Sequence, residues 1–216
     1  MNTRAIAGSV PRDTEGIYPF AGLPVRLGFP SSADFEVFHD EHGTPTGVAA
    51  RREFQRTTRM CRVSGQLLPY RCRQTRQLLN GIHVYDPRFC GALEHACDPN
   101  VFLDMSELWL WALKDIHRGE RLTMDYAATE DKLLHQFACD CGSVRCRGWI
   151  TGYNEPPSIE GQHFLQRWRR QGSRRSTRAT FRGYGAPTGR KRYCGGNCSK
   201  PLMVAFRLFQ RPSLMP

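Results

Sequence analysis

Short apolar bursts separated by turn residues run from about residue 24 to residue 124. Alternating apolar and polar positions predict half-buried strands, and a run of six apolar residues at 108–113 is short and aromatic enough to predict another. Many short strands with few helical stretches predict a mainly β domain with small helical insertions, an α+β fold. The predicted strands cover residues 24–29, 34–39, 46–50, 59–64, 81–85, 108–113 and 121–124.

Helical spacing is confined to a few stretches. Residues 89–95 and 129–135 have room for one or two helical turns, and apolar residues at helical spacing predict a terminal helix over 158–171. Residues 1–22 are mixed and rich in Gly and Pro, which predicts a flexible lead-in. From residue 172 the chain consists mainly of Arg, Gly, Ser and Thr with scattered aromatics, and this composition predicts a disordered tail over 172–216.

Charge is unevenly distributed along the chain, whose net charge is +11. All 20 acidic residues precede Gly161, whereas 13 of the 31 Lys and Arg residues follow it. Such a basic tail either contacts a polyanion, for example nucleic acid, or is a solvated extension without a partner, and charge alone does not decide. If the tail binds a polyanion, we expect a salt-sensitive affinity.

The sequence also favours a reducing environment. No stretch approaches the roughly 18 uninterrupted apolar residues of a membrane span, and Met1–Arg12 lacks the apolar segment of a secretory signal. We therefore expect an intracellular protein, in the cytoplasm or in a eukaryotic nucleus, and not a secreted one. In such compartments the nine cysteines are more often metal ligands than disulfide partners. Cys194 and Cys198 form a lone pair that we interpret as incidental.

Three cysteines, Cys139, Cys141 and Cys146, lie within eight residues as Cys-x-Cys-x4-Cys. Gly142 and Gly148 give the backbone the freedom to fold around an ion. Zinc takes four tetrahedral ligands, with sulfur at about 2.3 Å. The spacing therefore predicts a zinc knuckle that needs a distal fourth ligand, and the alternative is three free structural cysteines.

Two polar segments precede this knuckle. Residues 93–100 read Leu-Glu-His-Ala-Cys-Asp-Pro-Asn, and residues 115–126 read Asp-Ile-His-Arg-Gly-Glu-Arg-Leu-Thr-Met-Asp-Tyr. Alone, the first indicates a turn and the second a hairpin entering a strand. Together they resemble the SET domain of protein lysine methyltransferases, with its Asn-His-Ser-Cys-x-Pro-Asn and Gly-Glu-Glu-Leu-Thr-x-Asp-Tyr. Residues 137–148 resemble the post-SET segment, and residues 46–50 look like the family's Gly-x-Gly-Val-Phe-Ala.

The resemblance implies a SET β-fold with a knot-like C-terminal segment and a post-SET zinc site. The implied layout is a SET domain at 23–136, a post-SET zinc knuckle at 137–152, and a linker with the terminal helix at 153–171. The implied reaction is S-adenosylmethionine-dependent methyl transfer to the lysine ε-amine of a protein substrate, a histone or another protein.

The same resemblance implies the site residues. Cys97 would complete the zinc site with the three knuckle cysteines, Cys139, Cys141 and Cys146. Tyr126 would be the catalytic residue that orients the amine. The implied cofactor-binding residues are Gly47, Val48, Glu94, His95, Tyr126 and Phe137.

Two residues depart from the family pattern. Glu94 replaces an asparagine, and Pro45 stands at the first glycine of Gly-x-Gly. A carboxylate only accepts hydrogen bonds and must be desolvated, so we expect asparagine at 94 to bind the cofactor better. Proline fixes φ and removes an N–H. These departures leave open a catalytically inactive SET-shaped binding module. A zinc-knuckle nucleic-acid binder is a third hypothesis, but it leaves residues 119–126 unexplained.

Overall fold

The computed structural model describes residues 16–175 of the chain, and side-chain surroundings as far as residue 170. The lead-in before residue 16, the tail after residue 175 and the pair Cys194 and Cys198 lie outside the described residues. Within them, short strands dominate and one α-helix follows, which confirms the mainly β prediction. The elements are β1 (Phe35–His39), β2 (Pro45–Ala50), β3 (Arg59–Arg62), β4 (Gln66–Leu68), β5 (Thr75–Leu79), β6 (Ile82–Tyr85), β7 (Glu94–His95), β8 (Val101–Asp104), β9 (Trp109–Ala112), β10 (Thr123–Met124), β11 (Phe137–Ala138), β12 (Trp149–Ile150) and α1 (Ile159–Arg175).

The strands form several small sheets. Strands β1 and β2 pair antiparallel, as do β11 and β12, and two three-stranded sheets have the orders β3-β9-β8 and β4-β6-β5. Strands β7 and β10 pair in parallel, with Thr123 opposite Glu94 and Met124 opposite His95. This last pairing brings the two polar motif segments side by side. No helix in the described range is long and apolar enough to span a membrane.

Two local predictions are wrong. Residues 24–29 form a 3-10 turn at Val25–Leu27 instead of a strand, because Gly28 takes a left-handed φ of 90° and closes the turn. Residues 129–135 contain no helix. A 3-10 turn lies just before them at Tyr126–Ala128, capped by the carboxylate of Asp125, which accepts from the Ala127 amide. The terminal helix is confirmed and continues to Arg175, beyond its predicted end.

The core lies between the small sheets and contains a cluster of packed aromatic rings. Phe35 on β1 stacks on Phe54 with ring centroids 5.4 Å apart and meets the edge of Phe89 at 5.0 Å. All three side chains are almost fully buried. Burial of this much apolar surface is the main driving force for assembling strands that are too short to be stable alone.

The buried side chain of Asn100 fastens the two motif segments together. Its amide nitrogen donates to the Arg121 carbonyl at 2.8 Å and to the Glu120 carboxylate at 3.0 Å. Its oxygen accepts from the Thr123 amide at 2.8 Å. The Asn100 side chain, which belongs to the segment after β7, therefore satisfies polar groups of the segment that leads into β10.

We expect Asn100→Ala to lower the free energy of unfolding by about 3 kcal/mol, because buried polar partners lose their hydrogen bonds. Urea denaturation measures the change. Asn154→Ala, at an exposed asparagine, is the control and should change stability by less than about 0.5 kcal/mol. Equal effects of the two substitutions on stability would show that Asn100 does not hold the two motif segments together.

Candidate metal centre and cofactor site

Four cysteines from two distant segments form one cluster. The sulfur atoms of Cys97, Cys139, Cys141 and Cys146 all lie within 4.8 Å of one another, and none is in a disulfide. The Cys97 and Cys139 sulfurs are 3.9 Å apart, and tetrahedral zinc with about 2.3 Å bonds sets its sulfur ligands roughly 3.8 Å apart. The cluster therefore has the composition and the spacing to hold a metal ion.

Backbone amides stabilise ionised sulfur in the cluster, whereas burial and the close packing of the four sulfurs oppose ionisation. The Arg147 amide donates to the Cys97 sulfur at 3.3 Å, and the Gly148 amide donates to the Cys146 sulfur at 3.4 Å. Burial, together with the neighbouring cysteine sulfurs, raises the pKa of Cys139 above its usual value. Four thiolates this close together repel one another, so the cluster needs a cation to hold all four in the ionised form that binds metal.

The knuckle also contacts the segment that carries Tyr126. The Arg147 guanidinium forms a short ion pair with the carboxylate of Asp125. The same carboxylate caps the 3-10 turn that begins at Tyr126. A metal ion that orders the knuckle would thereby also fix the turn that presents Tyr126.

Three of the predicted site residues, His95, Tyr126 and Phe137, form an aromatic cluster. Ring centroids are 5.2 Å apart for His95 and Tyr126, 5.7 Å for His95 and Phe137, and 6.1 Å for Tyr126 and Phe137. The parallel pairing of β7 with β10 explains the approach of the first two. The Tyr126 hydroxyl donates to the Leu93 carbonyl at 2.9 Å, so its remaining oxygen lone pairs stay available as acceptors.

His95 is held in its neutral form. The Tyr126 amide donates to Nδ1 at 3.3 Å, which leaves the ring proton on Nε2, 3.5 Å from the Cys97 sulfur. Burial lowers the pKa of His95 to about 4, opposed by the nearby Asp125 carboxylate. His95 thus links the aromatic cluster to the cysteine cluster without adding charge at neutral pH.

Arg76 on β5 was not identified from the sequence. Its guanidinium carbon lies 4.9 Å from the centre of the Tyr126 ring. It donates to the Leu93 carbonyl at 3.1 Å, the same oxygen that accepts from the Tyr126 hydroxyl, and to the Gly91 carbonyl at 3.3 Å. The side chain is buried, so a fixed positive charge lies directly behind the tyrosine.

Glu94 has a partner that the sequence did not reveal. Its Oε2 accepts from Arg121 Nε at 2.8 Å. Gly47 lies against this pair, since a Cβ there would come within 2.5 Å of Arg121 Nη2 and 3.2 Å of the Glu94 carboxylate. Arg121 stands where the family motif has a second glutamate. That change from a negative to a positive charge was the signal in the sequence that could have pointed to a partner for Glu94. The expectation that asparagine at 94 binds the cofactor better did not take this ion pair into account.

Two other residues of β2, Val48 and Pro45, bear on the predicted cofactor site. The Val48 side chain is fully buried in the core, and its carbonyl accepts from the Leu122 amide at 2.8 Å. Its side chain is therefore covered by the core, and a contact between Val48 and the cofactor stays a prediction. Pro45 is the first residue of β2, opposite His39 at a register shift, where a missing N–H is tolerated. The proline thus does not disrupt the strand that carries Gly47.

Helix α1 packs on the cysteine knuckle. The Phe164 ring lies 5.5 Å from that of Trp149 on β12. A Cβ at Gly148 would come within 3.0 Å of the Trp168 ring, and one at Gly161 within 2.3 Å of Trp149. Glycines at both contacts let the helix approach closely, so knuckle and helix form one packed unit.

Residues 46–127 match the SET domain family. The H3 lysine-9 specific histone-lysine N-methyltransferase of Schizosaccharomyces pombe is 35% identical over 83 residues, covering 27% of this chain and 16% of that protein. The H3 lysine-9 specific histone-lysine N-methyltransferase dim-5 of Neurospora crassa is 31% identical over 78 residues, covering 27% of this chain and 24% of that protein. Methyltransferase flvH of Aspergillus flavus is 35% identical over 81 residues, covering 37% and 44%. The chain thus spans less than half the length of these relatives.

Two solved structures are also similar. The methyltransferase domain of human histone-lysine N-methyltransferase SETMAR matches 55% of this chain and 58% of that chain, at 18% identity and a TM-score of 0.42. The structure of KRYPTONITE in complex with mCHG DNA and SAH matches over 53% of this chain and 28% of that chain, at 21% identity and a TM-score of 0.43. The sequence match to the family spans both polar motifs, from β2 to Tyr126. Residues 46–127 of this chain are a SET domain, and histone-lysine methyltransferases are among its homologues.

Proposed function

We propose that the chain transfers a methyl group from S-adenosylmethionine to a lysine ε-amine of a protein substrate. The observation that carries this proposal is the position of Tyr126, whose hydroxyl is fixed on the Leu93 carbonyl beside His95 and Phe137, within the SET domain. The cofactor supplies an electrophilic methyl on its sulfonium. A nitrogen–carbon bond forms as the sulfur–carbon bond breaks, and the amine's extra proton leaves to solvent.

The described residues account for how the amine would be oriented. The Tyr126 hydroxyl proton points to Leu93, so its oxygen can accept an N–H of the lysine and turn the nitrogen lone pair towards the methyl carbon. A free lysine has a pKa of about 10.4. Arg76, a buried cation behind Tyr126, disfavours a second positive charge nearby and so favours the neutral, nucleophilic amine.

We propose Zn²⁺ as the ion of the cysteine cluster, one per chain, held by Cys97, Cys139, Cys141 and Cys146. Four sulfur ligands suit zinc, and a fully protein-ligated site has no open position, so its role is structural. The ion would join the segment after β7 to the knuckle and, through α1, order the C-terminal part of the described chain.

A histone is the proposed substrate class, because the names of two relatives specify H3 lysine 9. Labelled S-adenosylmethionine is incubated with the protein and a panel of histones and cell extract, and modified lysines are identified by mass spectrometry. Label on a histone lysine supports the proposal in full, and label only on another protein changes the substrate. Cofactor binding without transfer to any protein would favour the inactive binding module.

The excess of basic residues after Gly161 supports a second proposal, a salt-sensitive contact with a polyanion. Because α1 extends to Arg175, the informative truncation removes residues 176–216. We expect an unchanged melting temperature and a weaker, less salt-dependent affinity for duplex DNA, since fewer phosphates are neutralised. Calorimetry and DNA titrations at several salt concentrations measure both. A large loss of thermal stability would show instead that this segment packs on the domain.

A further inference from the structure

Two residues that change the charge of the SET motifs, Glu94 and Arg121, are partners in space. Glu94 on β7 replaces an uncharged asparagine, and Arg121, just before β10, stands where the motif has a glutamate. Glu94 Oε2 and Arg121 Nε are 2.8 Å apart. Neither residue is explained by the motif alone, but each supplies the charge that the other requires.

The position of the pair does not suggest a role in stability. The side chains of Glu94 and Arg121 are 42% and 41% exposed, and ion pairs of this exposure contribute about 0–1 kcal/mol. The Arg121 guanidinium nevertheless packs on the protein surface, with its carbon 4.3 Å from the centre of the Phe38 ring and Gly47 beneath it. Phe38 and Gly47 face each other across β1 and β2, so both contacts of the guanidinium come from this one sheet.

The pair also retains free hydrogen-bonding capacity. The hydrogen bond between Arg121 Nε and Glu94 Oε2 leaves the arginine Nη groups and Glu94 Oε1 without a further side-chain partner among the described residues. A guanidinium can bind a carboxylate through two parallel N–H bonds, and a carboxylate can accept from an ammonium. Side by side, the two groups therefore match a ligand that presents an ammonium and a carboxylate on one carbon.

We propose that Glu94 and Arg121 form a clamp for the zwitterionic amino-acid end of S-adenosylmethionine, with the ammonium on Glu94 and the carboxylate on Arg121. This inference rests on the proposed function, because it assigns ligands within the same cofactor site. It also reverses the expectation for Glu94→Asn: with Arg121 beside it, loss of the carboxylate removes the ammonium acceptor and weakens cofactor binding.

The test compares two ligands by isothermal titration calorimetry. S-adenosylhomocysteine contains the amino-acid end, and 5′-methylthioadenosine lacks it. In the unaltered protein we expect S-adenosylhomocysteine to bind at least about 100-fold more tightly, as two charge-assisted contacts imply. We expect Glu94→Gln and Arg121→Gln each to weaken the binding of S-adenosylhomocysteine by about 10-fold or more. The affinity for 5′-methylthioadenosine should be unchanged. The double variant should lose less than the product of the two single losses, because the residues act together.

Glu107→Gln is the matched control. Glu107 is an exposed acid paired with Arg59 at 3.5 Å in the turn between β8 and β9, and its substitution should leave both affinities unchanged. Unchanged 5′-methylthioadenosine binding in the Glu94 and Arg121 variants shows that they are folded. If S-adenosylhomocysteine keeps its full advantage in both variants, the clamp is wrong while the cofactor site stands. If neither ligand binds the unaltered protein, the clamp and the proposed function both fail.

Discussion

Replacing Cys141 by serine should release zinc from the protein and loosen the chain from about Gln136 onwards. Serine keeps the size of the side chain but removes a thiolate, and a three-sulfur site binds zinc far more weakly. Binding of a structural zinc contributes on the order of 10 kcal/mol to the folded state. Much of that stabilisation would be lost with the thiolate. The segment would then loosen, because the two-residue strands β11 and β12 have little pairing of their own.

The loss should spread in two directions from the knuckle. Helix α1 packs on Trp149 and Gly148, so it should lose its support when the knuckle opens. On the other side, Arg147 contacts Asp125, the cap of the turn that begins at Tyr126. Hydrogen exchange should therefore show lost protection in the knuckle and α1, with a smaller change around Tyr126.

Metal analysis and hydrogen exchange together measure this prediction. Cys72→Ser is the control, since Cys72 is a cysteine outside the cluster, and that protein should keep one zinc per chain and full protection. A Cys141→Ser protein with a full complement of zinc would reject the assignment of the four ligands. Zinc loss without any change in exchange would show that the ion is bound but does not order the C-terminal segment.

The parts of this protein that could be predicted from sequence are those with a local or motif-level signal. Cys139, Cys141 and Cys146 are close in the chain, so their spacing alone indicates a metal site. The distal ligand, Cys97, has no such signal and followed only from the resemblance. The geometry now brings its sulfur to 3.9 Å from that of Cys139.

The contacts that sequence reasoning missed join residues far apart in the chain. Glu94 meets Arg121 because β7 and β10 pair in parallel, and a two-residue strand has no recognisable pattern. Arg76 reaches Tyr126 from β5, a strand without clear alternation. The wrong strand at 24–29 has a different cause, because its apolar spacing fits a strand while Gly28 permits the turn that actually forms.

Removing only the hydroxyl of Tyr126, by Tyr126→Phe, should reduce the rate of methyl transfer by about 100-fold or more, as does the loss of one well-placed polar contact at a transition state. Stability should change little. The ring keeps its contacts with His95 and Phe137, and the Leu93 carbonyl keeps a donor, because Arg76 still reaches it at 3.1 Å. Binding of S-adenosylhomocysteine should be nearly unchanged.

Tyr18→Phe is the matched control for this prediction and separates a kinetic role from a packing role. The Tyr18 hydroxyl is buried, donates to Asp86 at 2.7 Å and accepts from the Ser64 amide at 3.2 Å. Its removal takes the acceptor from the Ser64 amide and one of several donors from the Asp86 carboxylate. The substitution should cost about 1–3 kcal/mol of unfolding free energy without slowing transfer by the folded protein. Rates under single-turnover conditions and urea denaturation of both variants give the comparison. If Tyr126→Phe behaves like Tyr18→Phe, losing stability and keeping its rate, then Tyr126 is a core residue and the amine is oriented by another group.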